Sequence, residues 1–268
     1  MTDSIFLIGC GAMGGAMAAG WVAQGRGAAL TVVEPVLARV PAGVNAVAAP
    51  PADAAPAAVL VLAIKPQMLA AVAPTITHLA GPGTIVVSIL AAVETATLRH
   101  WFPDSAAIVR AVPNLPAAIG AGVTALAADG LGDAGRRLVT SLCEPLGAVV
   151  WLDSEAQIDA ATSVSGCGPA FLFRYAEAVV RAGMAQGLAA NQARQLLAAT
   201  MVGAGRMLMT SDTSPGEMAR QVASPGGVTL AGLAVLDADD VLQRLLAATL
   251  AAAAARSAEM AMETRPKR

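Results

Sequence analysis

The sequence is poor in the residues that usually mark a metal site, a disulfide framework or a polyanion-binding surface. Among 268 residues it has three cysteines, two histidines and a formal net charge of −2. The cysteines, Cys10, Cys143 and Cys167, are odd in number and lack metal-site spacing, so we expect no metal and a reducing compartment. The small negative charge argues against nucleic acid and an anionic membrane surface as partners.

Long apolar runs are missing as well. Hydrophobic residues make up 56% of the chain and the mean hydropathy is +0.63, but alanine supplies much of both. No stretch reaches the roughly 18 consecutive apolar residues that a membrane-spanning helix needs, and the longest candidate, Leu245 to Ala255, contains Thr249. Asp3 stands where a secretion signal would carry basic residues. We therefore expect a soluble cytoplasmic protein.

A glycine-rich loop follows the first apolar run of the chain. Residues 5–8 suit a buried strand, and Gly9, Gly11 and Gly14 then form Gly-x-Gly-x-x-Gly ahead of an alanine-rich helical segment. In this context the three glycines allow a tight turn, close approach of a pyrophosphate, and close packing of helix on strand. The pattern predicts a dinucleotide site, with a structural glycine turn as the alternative. The residues expected to bind the cofactor here are Ile8, Gly9, Cys10, Gly11, Ala12, Met13 and Gly14.

Further apolar runs alternate with helical segments over the first 110 residues. This alternation predicts an α/β fold with a doubly wound, Rossmann-type sheet, to which two later runs would add edge strands. The predicted strands are Leu30–Glu34, Val44–Val47, Val59–Ile64, Ile85–Leu90 and Ala107–Val109, with Val123–Leu126 and Ala148–Leu152 at the edges.

Polar residues follow several of these strands. Glu34, about 20 residues after the glycine loop, is expected to accept from the adenine-ribose 2′-OH, which favours NAD(H), while Arg39 offers a partner for a 2′-phosphate. Lys65 lies at the carboxyl end of a central strand, where ligands bind in open α/β sheets. Two prolines flank Asn114 and would aim its amide at a nicotinamide carboxamide. The alternatives are a solvated strand end for Glu34 and a turn asparagine for Asn114.

The character of the chain changes after about Asp153. Helical periodicity replaces strand signals, so we predict a Rossmann domain at 1–153 and an all-helical domain at 154–268. Asn191 and Ser214 are predicted N-caps. Glycines inside the helices suggest small-residue faces that pack on a second subunit. The predicted helices are 169–187, 191–209, 214–222 and 239–263, and the interior glycines are Gly183, Gly203 and Gly205.

Two glycine–proline clusters lie in the predicted helical domain. Residues 165–171 read as a turn that opens a helix, with Pro169 at its first position. The second cluster, Val222 to Thr229, precedes another helical stretch, and its Gly226–Gly227 pair could form an anion-binding nest. A carboxylate there would gain hydrogen bonds from the Ser224 and Thr229 hydroxyls; a plain helix–helix turn is the alternative.

These segments together resemble Δ1-pyrroline-5-carboxylate reductase, the last enzyme of proline biosynthesis. The similarity runs through the chain in the family's order, and the last block is the most specific. It is carried by Gly9–Gly14, Ala63–Gln67, Arg110–Ala117, Val164–Phe171 and Val222–Gly232.

The resemblance implies hydride transfer from NAD(P)H, that is NADP(H) or NAD(H), to the ring C=N of 1-pyrroline-5-carboxylate, giving L-proline. It places the nicotinamide near Ala63, Lys65, Ile89 and Asn114. The substrate carboxylate would bind Ser224, Gly226, Gly227 and Val228, and Thr229 would hydrogen-bond the ring nitrogen as the catalytic residue. The resemblance also implies a homodimer through the helical domain, or a homodecamer of such dimers.

Several positions depart from the family pattern. Leu90-Ala91-Ala92 replaces a usual Ala-Ala-Gly, Cys167 replaces a frequent serine, and Val36 stands where a serine often binds the 2′-phosphate. Thr229 is retained, so the reaction is expected to be retained. Because Glu34 is also present, we predict that NADH is used at least comparably with NADPH.

Two other functions are compatible with the glycine loop. β-Hydroxyacid dehydrogenases and imine reductases share the domain order, but the dehydrogenases use a lysine of the helical domain as acid and base. The lysines here are Lys65 and Lys267, and the histidines, His78 and His100, fall in the first domain as solvated helix positions. The third possibility is a non-catalytic NAD(P) sensor, against which the retained Thr229 and Ser-Pro-Gly-Gly turn argue.

Overall fold

The computed structural model describes residues 4–265 and contains one mixed sheet of eight strands. The predicted strand runs are confirmed, with small shifts at their ends. In chain order the strands are β1 Ile5–Ile8, β2 Leu30–Val33, β3 Asn45–Val47, β4 Val59–Leu62, β5 Ile85–Ser88, β6 Ala107–Pro113, β7 Gly122–Asp129 and β8 Gly147–Trp151.

The strand order across the sheet is β3-β2-β1-β4-β5-β6-β7-β8. All neighbours are parallel except β6 and β7, which pair antiparallel with Val109 opposite Ala128. The prediction that residues 123–126 form an edge strand is wrong, because β7 lies between β6 and β8. The chain order reverses between β1 and β4, which is the switch point where open α/β sheets bind ligands.

Both faces of the sheet are covered, as the continuous apolar strands require. In β1, Ile5 and Leu7 contribute to one core layer, while Phe6 and Ile8 contribute to the other. Trp21 of the first helix is fully buried in the first layer and donates its indole N–H to the Leu142 carbonyl oxygen at 2.7 Å. The four helices of this part of the chain are α1 Ala12–Ala23, α2 Leu69–Ile76, α3 Thr95–Trp101 and α4 Asp133–Cys143.

The later part of the chain is helical, as predicted, with corrections at the helix starts. Ser214 caps its helix by accepting from the Glu217 N–H, but the predicted N-cap Asn191 lies inside a helix whose cap is Ala189. Asp239 and Asp240 have positive φ, so the last helix begins only after them. The helices are α5 Ile158–Ala161, α6 Gly168–Ala185, α7 Ala190–Thr210, α8 Pro215–Gln221, α9 Val228–Leu236 and α10 Val241–Thr264.

A π-helical segment, Thr162–Gly166, joins α5 to α6. The predicted helix is present and begins at Gly168, one residue before Pro169, but the residues ahead of it are π-helical and do not form the predicted turn. The Cys167 N–H donates to the Thr162 carbonyl oxygen at 2.8 Å, the i to i+5 bond that widens the helix. Such widened turns occur frequently at functional sites.

The chain forms two compact units. The first comprises the described residues up to Pro169 together with those from Ala252, and the second comprises Ala170–Ala251. Among residues 170–251, all of them described, Ala193 alone is buried. One segment, Ala238–Thr264, is long and apolar enough to cross a membrane by length and composition, which is weak evidence by itself.

Candidate functional site

The glycine loop between β1 and α1 has the geometry that the pattern predicts. Gly9 has φ +95°, and a Cβ there would lie 2.7 Å from the Ala63 carbonyl oxygen. A Cβ at Gly14 would overlap the Gly9 carbonyl oxygen and lie 3.1 Å from the Ala63 Cβ. At Gly11 a Cβ would meet no described atom within 4 Å. The fold therefore requires the first and third glycines, whereas the second leaves open space at the start of α1.

Glu34 follows β2 and its carboxylate supports this loop. Its side chain is 9% exposed; Oε2 accepts from the Cys10 N–H at 2.9 Å and Oε1 accepts from the Val36 N–H at 3.0 Å. The Arg39 guanidinium lies 3.9 Å from Oε1. A carboxylate has about four acceptor positions, so two remain for a ligand hydroxyl. The acid thus fixes the turn after β1 and presents its free acceptors at the carboxyl edge of the sheet.

A groove of about 1040 Å³ runs along this edge of the sheet. The positively charged side chains of Arg39 and Lys65 line it beside the single carboxylate of Glu34, which suits a ligand that carries phosphate groups. The predicted cofactor residues that line the groove are Ile8, Gly9, Gly11, Glu34, Ala63 and Lys65.

A second cavity, of about 470 Å³, adjoins the glycine loop at Met13. Ile89 and the residues after it form one wall, and the π-helical segment and Cys167 form another. Residues of α10 complete the lining with Arg256 and Ser257. Two further predicted cofactor residues, Met13 and Ile89, thus share a cavity, whereas Cys10, Ala12 and Gly14 lie within the loop and the first turn of α1.

The structure gives Asn114 a structural role. Its Nδ2 donates to the Ser165 carbonyl oxygen at 3.1 Å, and its Oδ1 accepts from the Val123 N–H at 2.9 Å. These bonds tie the end of β6 to β7 and to the π-helical segment. One N–H and one acceptor position of the amide remain for a ligand, so its predicted contact with a nicotinamide stays a prediction.

Arg110 is a site residue that the sequence analysis did not single out. It is 6% exposed, lines the second cavity, and donates from Nη1 to Glu155 Oε1 at 2.8 Å. The same oxygen accepts from the Thr95 N–H at 2.7 Å, so the buried charge is paired. In the sequence, Arg110 is conspicuous only because it interrupts the apolar run of β6, where an unpaired charge would be strongly unfavourable.

The thiols of Cys10 and Cys143 are not activated. Burial raises the pKa of the Cys10 thiol, and the nearby charge of Glu34 raises it further. Burial raises the pKa of Cys143 to about 12. Because the reactive form is the thiolate, neither side chain is a nucleophile at neutral pH. Among residues 4–265, no three His, Cys, Asp or Glu side chains are grouped so that they could hold a metal ion.

The Ser224–Thr229 turn lies in the second unit and is exposed to solvent. Gly226 has φ +72°, which favours glycine, and a Cβ at Gly227 would lie 2.5 Å from the rotatable Ser224 Oγ and 3.0 Å from the Ser224 carbonyl oxygen. The Gly227 N–H already donates to the Ser224 carbonyl oxygen at 2.9 Å. The donors left for an anion are the N–H groups that start α9, at Val228 and Thr229, because a first turn has no intrahelical acceptors.

Two family descriptions match the chain. Residues 155–260 match pyrroline-5-carboxylate reductase dimerisation, and residues 4–92 match NADP oxidoreductase coenzyme F420-dependent. The first covers most of the helical part of the chain, including the Ser224–Thr229 turn. The second covers the glycine loop and the first five strands.

Several relatives are pyrroline-5-carboxylate reductases. A pyrroline-5-carboxylate reductase of Pseudomonas aeruginosa is 38% identical over 77% of this chain and 76% of its own. That of Pasteurella multocida is 33% identical over 96% of this chain and 97% of its own. The solved structure of a pyrroline-5-carboxylate reductase from Coxiella burnetii superimposes with a TM-score of 0.91 at 30% identity, covering 97% of this chain and 99% of that one.

Proposed function

Because the chain belongs to the pyrroline-5-carboxylate reductase family, we propose that it reduces 1-pyrroline-5-carboxylate to L-proline with NADH or NADPH. The observation that carries this proposal is a relationship of 33% identity that spans 96% of the chain. It includes the glycine loop, whose open Gly11 fits a dinucleotide, and the Ser224–Thr229 turn, whose free donors fit a carboxylate.

We propose that the first unit holds the dinucleotide. The N–H groups at the start of α1 would face the pyrophosphate over Gly11, and Glu34 would accept from the adenine ribose. When bound, the dinucleotide would supply a hydride to the imine carbon. Ala63, Lys65 and Ile89 would surround its nicotinamide end, since they line the groove and the adjoining cavity.

The Ser224–Thr229 turn is the proposed substrate site. The carboxylate would accept from the Ser224 hydroxyl and from the N–H of Val228, with Gly226 and Gly227 shaping the turn. Thr229 would hydrogen-bond the ring nitrogen and is the proposed catalytic residue. A protonated imine is already electrophilic, so the protein needs to position it more than to activate it. Solvent would supply the proton.

The helical part is the proposed dimerisation region. With Ala193 its one buried residue, the second unit leaves large apolar side chains exposed, and a partner subunit would cover them. No described atom lies within 4 Å of a Cβ placed at Gly203 or Gly205, which leaves their helix face free for a second copy. Exposed residues of this kind include Phe173 at 62%, Met209 at 78% and Val235 at 71%.

We propose a Rossmann domain at 1–153, a substrate-binding and dimerisation domain at 154–268, and a cytoplasmic homodimer, which can assemble further into a homodecamer. A partner that covers α10 would also account for the apolar, exposed character of Ala238–Thr264 without a membrane. Sedimentation should show a dimer or larger species at micromolar concentration. A stable monomer would refute the proposed assembly.

The proposed reaction is tested by NADH and NADPH oxidation with pyrroline-5-carboxylate. The matched control is oxidation of β-hydroxyacids in the reverse direction with NAD⁺ and NADP⁺. We expect turnover only with the imine, because Lys65 is the one lysine among residues 4–265 and it lies in the first unit; Lys267 falls outside the described residues. Turnover of a hydroxyacid would favour the dehydrogenase reading, and cofactor binding without any turnover would favour a sensor.

A further inference from the structure

The last turn of α10 is bonded to the loop that follows β5. The Thr264 hydroxyl lies 2.8 Å from the Ala92 carbonyl oxygen, and 3.0 Å from that of Ala261 in its own helix. Arg265 donates from Nε and Nη2 to the two carboxylate oxygens of Glu94, at 2.7 and 2.8 Å. We call Thr264 and Arg265 the α10 clasp and residues 90–94 the clasped loop. Both belong to the first unit, although about 170 residues separate them along the chain.

The clasped loop holds an unfavourable backbone conformation. Ala92 has φ +60°, the left-handed region that alanine rarely adopts and glycine adopts readily. Around it Leu90 and Val93 are buried, and the Leu90 N–H donates to Ser88 Oγ at 3.3 Å. A non-glycine residue persists in this conformation only when its surroundings impose it. Thr264 of the clasp bonds to the Ala92 carbonyl oxygen, and Arg265 bonds to the carboxylate of Glu94, two residues on.

This loop also shapes the cavity beside the glycine loop. Ile89, Leu90, Ala91 and Ala92 line it together with Met13. A change of the Ala92 backbone would therefore move the wall against which the nicotinamide end of the cofactor is proposed to lie.

We propose that Thr264 and Arg265 are positioning residues, which keep the clasped loop in the shape that the cofactor requires. The inference rests on the proposed function for the identity of the ligand. A site that is competent for only a fraction of the time has an apparent dissociation constant raised by the inverse of that fraction. Loss of the clasp lowers this fraction, so it weakens cofactor binding and raises KM for the cofactor. The turnover of the saturated enzyme stays close to that of the wild type.

The test compares Arg265→Ala, Thr264→Val and the double variant with the wild type. The dissociation constant of NADH or NADPH, whichever binds the wild type more tightly, is measured by nucleotide fluorescence without substrate. Hydrogen exchange of the unliganded protein reports on the amides of residues 89–95. The control is Asp129→Asn, which removes an exposed ion pair with Arg99 in the same unit, at residues that line neither the cavity nor the clasped loop. Thermal unfolding establishes that each variant is folded.

We expect the double variant to bind the cofactor about threefold to tenfold more weakly, with faster exchange at residues 89–95 and kcat within about twofold of wild type. Arg265→Lys, which keeps the charge but loses the two-point geometry, should lie between. Adding Ala92→Gly should restore much of the binding, since glycine adopts the left-handed conformation without help. A purely structural clasp would not be rescued in this way.

Unchanged binding in the double variant, an equal loss in Asp129→Asn, or no rescue by Ala92→Gly would each overturn the inference. A wild type that binds the cofactor but does not reduce pyrroline-5-carboxylate would overturn the proposed function instead, and the binding data would still decide on the clasp. A wild type that binds neither NADH nor NADPH would overturn both.

Discussion

The glycine loop yields a prediction in which two similar substitutions have different consequences. Gly14→Ala would push a methyl group into the Gly9 carbonyl oxygen and against the Ala63 Cβ at 3.1 Å. Both neighbours are held by the sheet, so the helix must shift. Overpacking of this kind typically destabilises by about 1–3 kcal/mol. We expect Gly14→Ala to lower the free energy of unfolding by that amount and to weaken cofactor binding as well.

Gly11→Ala should leave stability almost unchanged. Gly11 has φ −71°, which alanine adopts, so the substitution gains about 0.4–1 kcal/mol from the unfolded chain. The same residue is the N-cap of α1, where alanine is worse than glycine, and the two effects offset to within roughly 0.5 kcal/mol. The methyl group would fill the space assigned to the pyrophosphate. Cofactor affinity should therefore fall by about tenfold or more, which is about 1.4 kcal/mol.

Urea unfolding without nucleotide and fluorescence titration with NADH or NADPH measure the two effects separately. Gly11→Ala that binds cofactor as tightly as the wild type would refute the placement of the phosphates at Gly11. Gly14→Ala with unchanged stability would refute the requirement for close packing of α1 on the loop.

Three further predictions follow from particular side chains. Thr124 has a buried hydroxyl with no hydrogen-bond partner among the described residues, so Thr124→Val should raise the urea unfolding free energy by roughly 1 kcal/mol; a decrease would contradict this. The hydrogen bond from Arg265 lowers the pKa of Glu94, so the stability lost in Arg265→Ala should be constant above about pH 4.5 and shrink as pH falls through the lowered pKa; urea titrations that show a loss growing at low pH would count against the pair. Glu34 should let NADH serve at least comparably with NADPH, and a kcat/KM for NADPH a hundredfold above that for NADH would refute this role.

The strands of the sheet could be predicted from the sequence because each one is marked by its own short stretch of residues. The strands are short apolar runs, and both faces of β1 and β4 are buried, so continuous apolarity was a sufficient signal. The glycine loop was equally readable, since Gly9 and Gly14 are needed for close backbone contacts and Gly11 leaves open space for a ligand. The helical character of the later part could be predicted from its periodicity. The N-cap role of Ser214 could be predicted because a serine hydroxyl accepts hydrogen bonds from the free N–H groups at a helix start.

The remaining features depend on contacts between residues that are distant in the chain. Nothing local in residues 123–126 indicates that β7 pairs antiparallel inside the sheet. The bonds of Asn114 to Ser165 and Val123 exist only once β6, β7 and the π-helical segment are assembled. The return of α10 to the first unit brings Arg265 to Glu94, a pairing that helical periodicity cannot specify.

The most direct test of the central claim is the kcat/KM for pyrroline-5-carboxylate of the wild type, Thr229→Ser and Thr229→Ala, with saturating NADH or NADPH. We predict turnover by the wild type, near-normal turnover by Thr229→Ser, and a loss of about 10- to 100-fold in Thr229→Ala, because one hydrogen bond to a charged reacting group is removed. The dissociation constant of the cofactor should be the same in all three proteins. An active wild type with an equally active Thr229→Ala would remove the role of Thr229. A wild type that binds the cofactor but leaves pyrroline-5-carboxylate unreduced would contradict the proposed reaction.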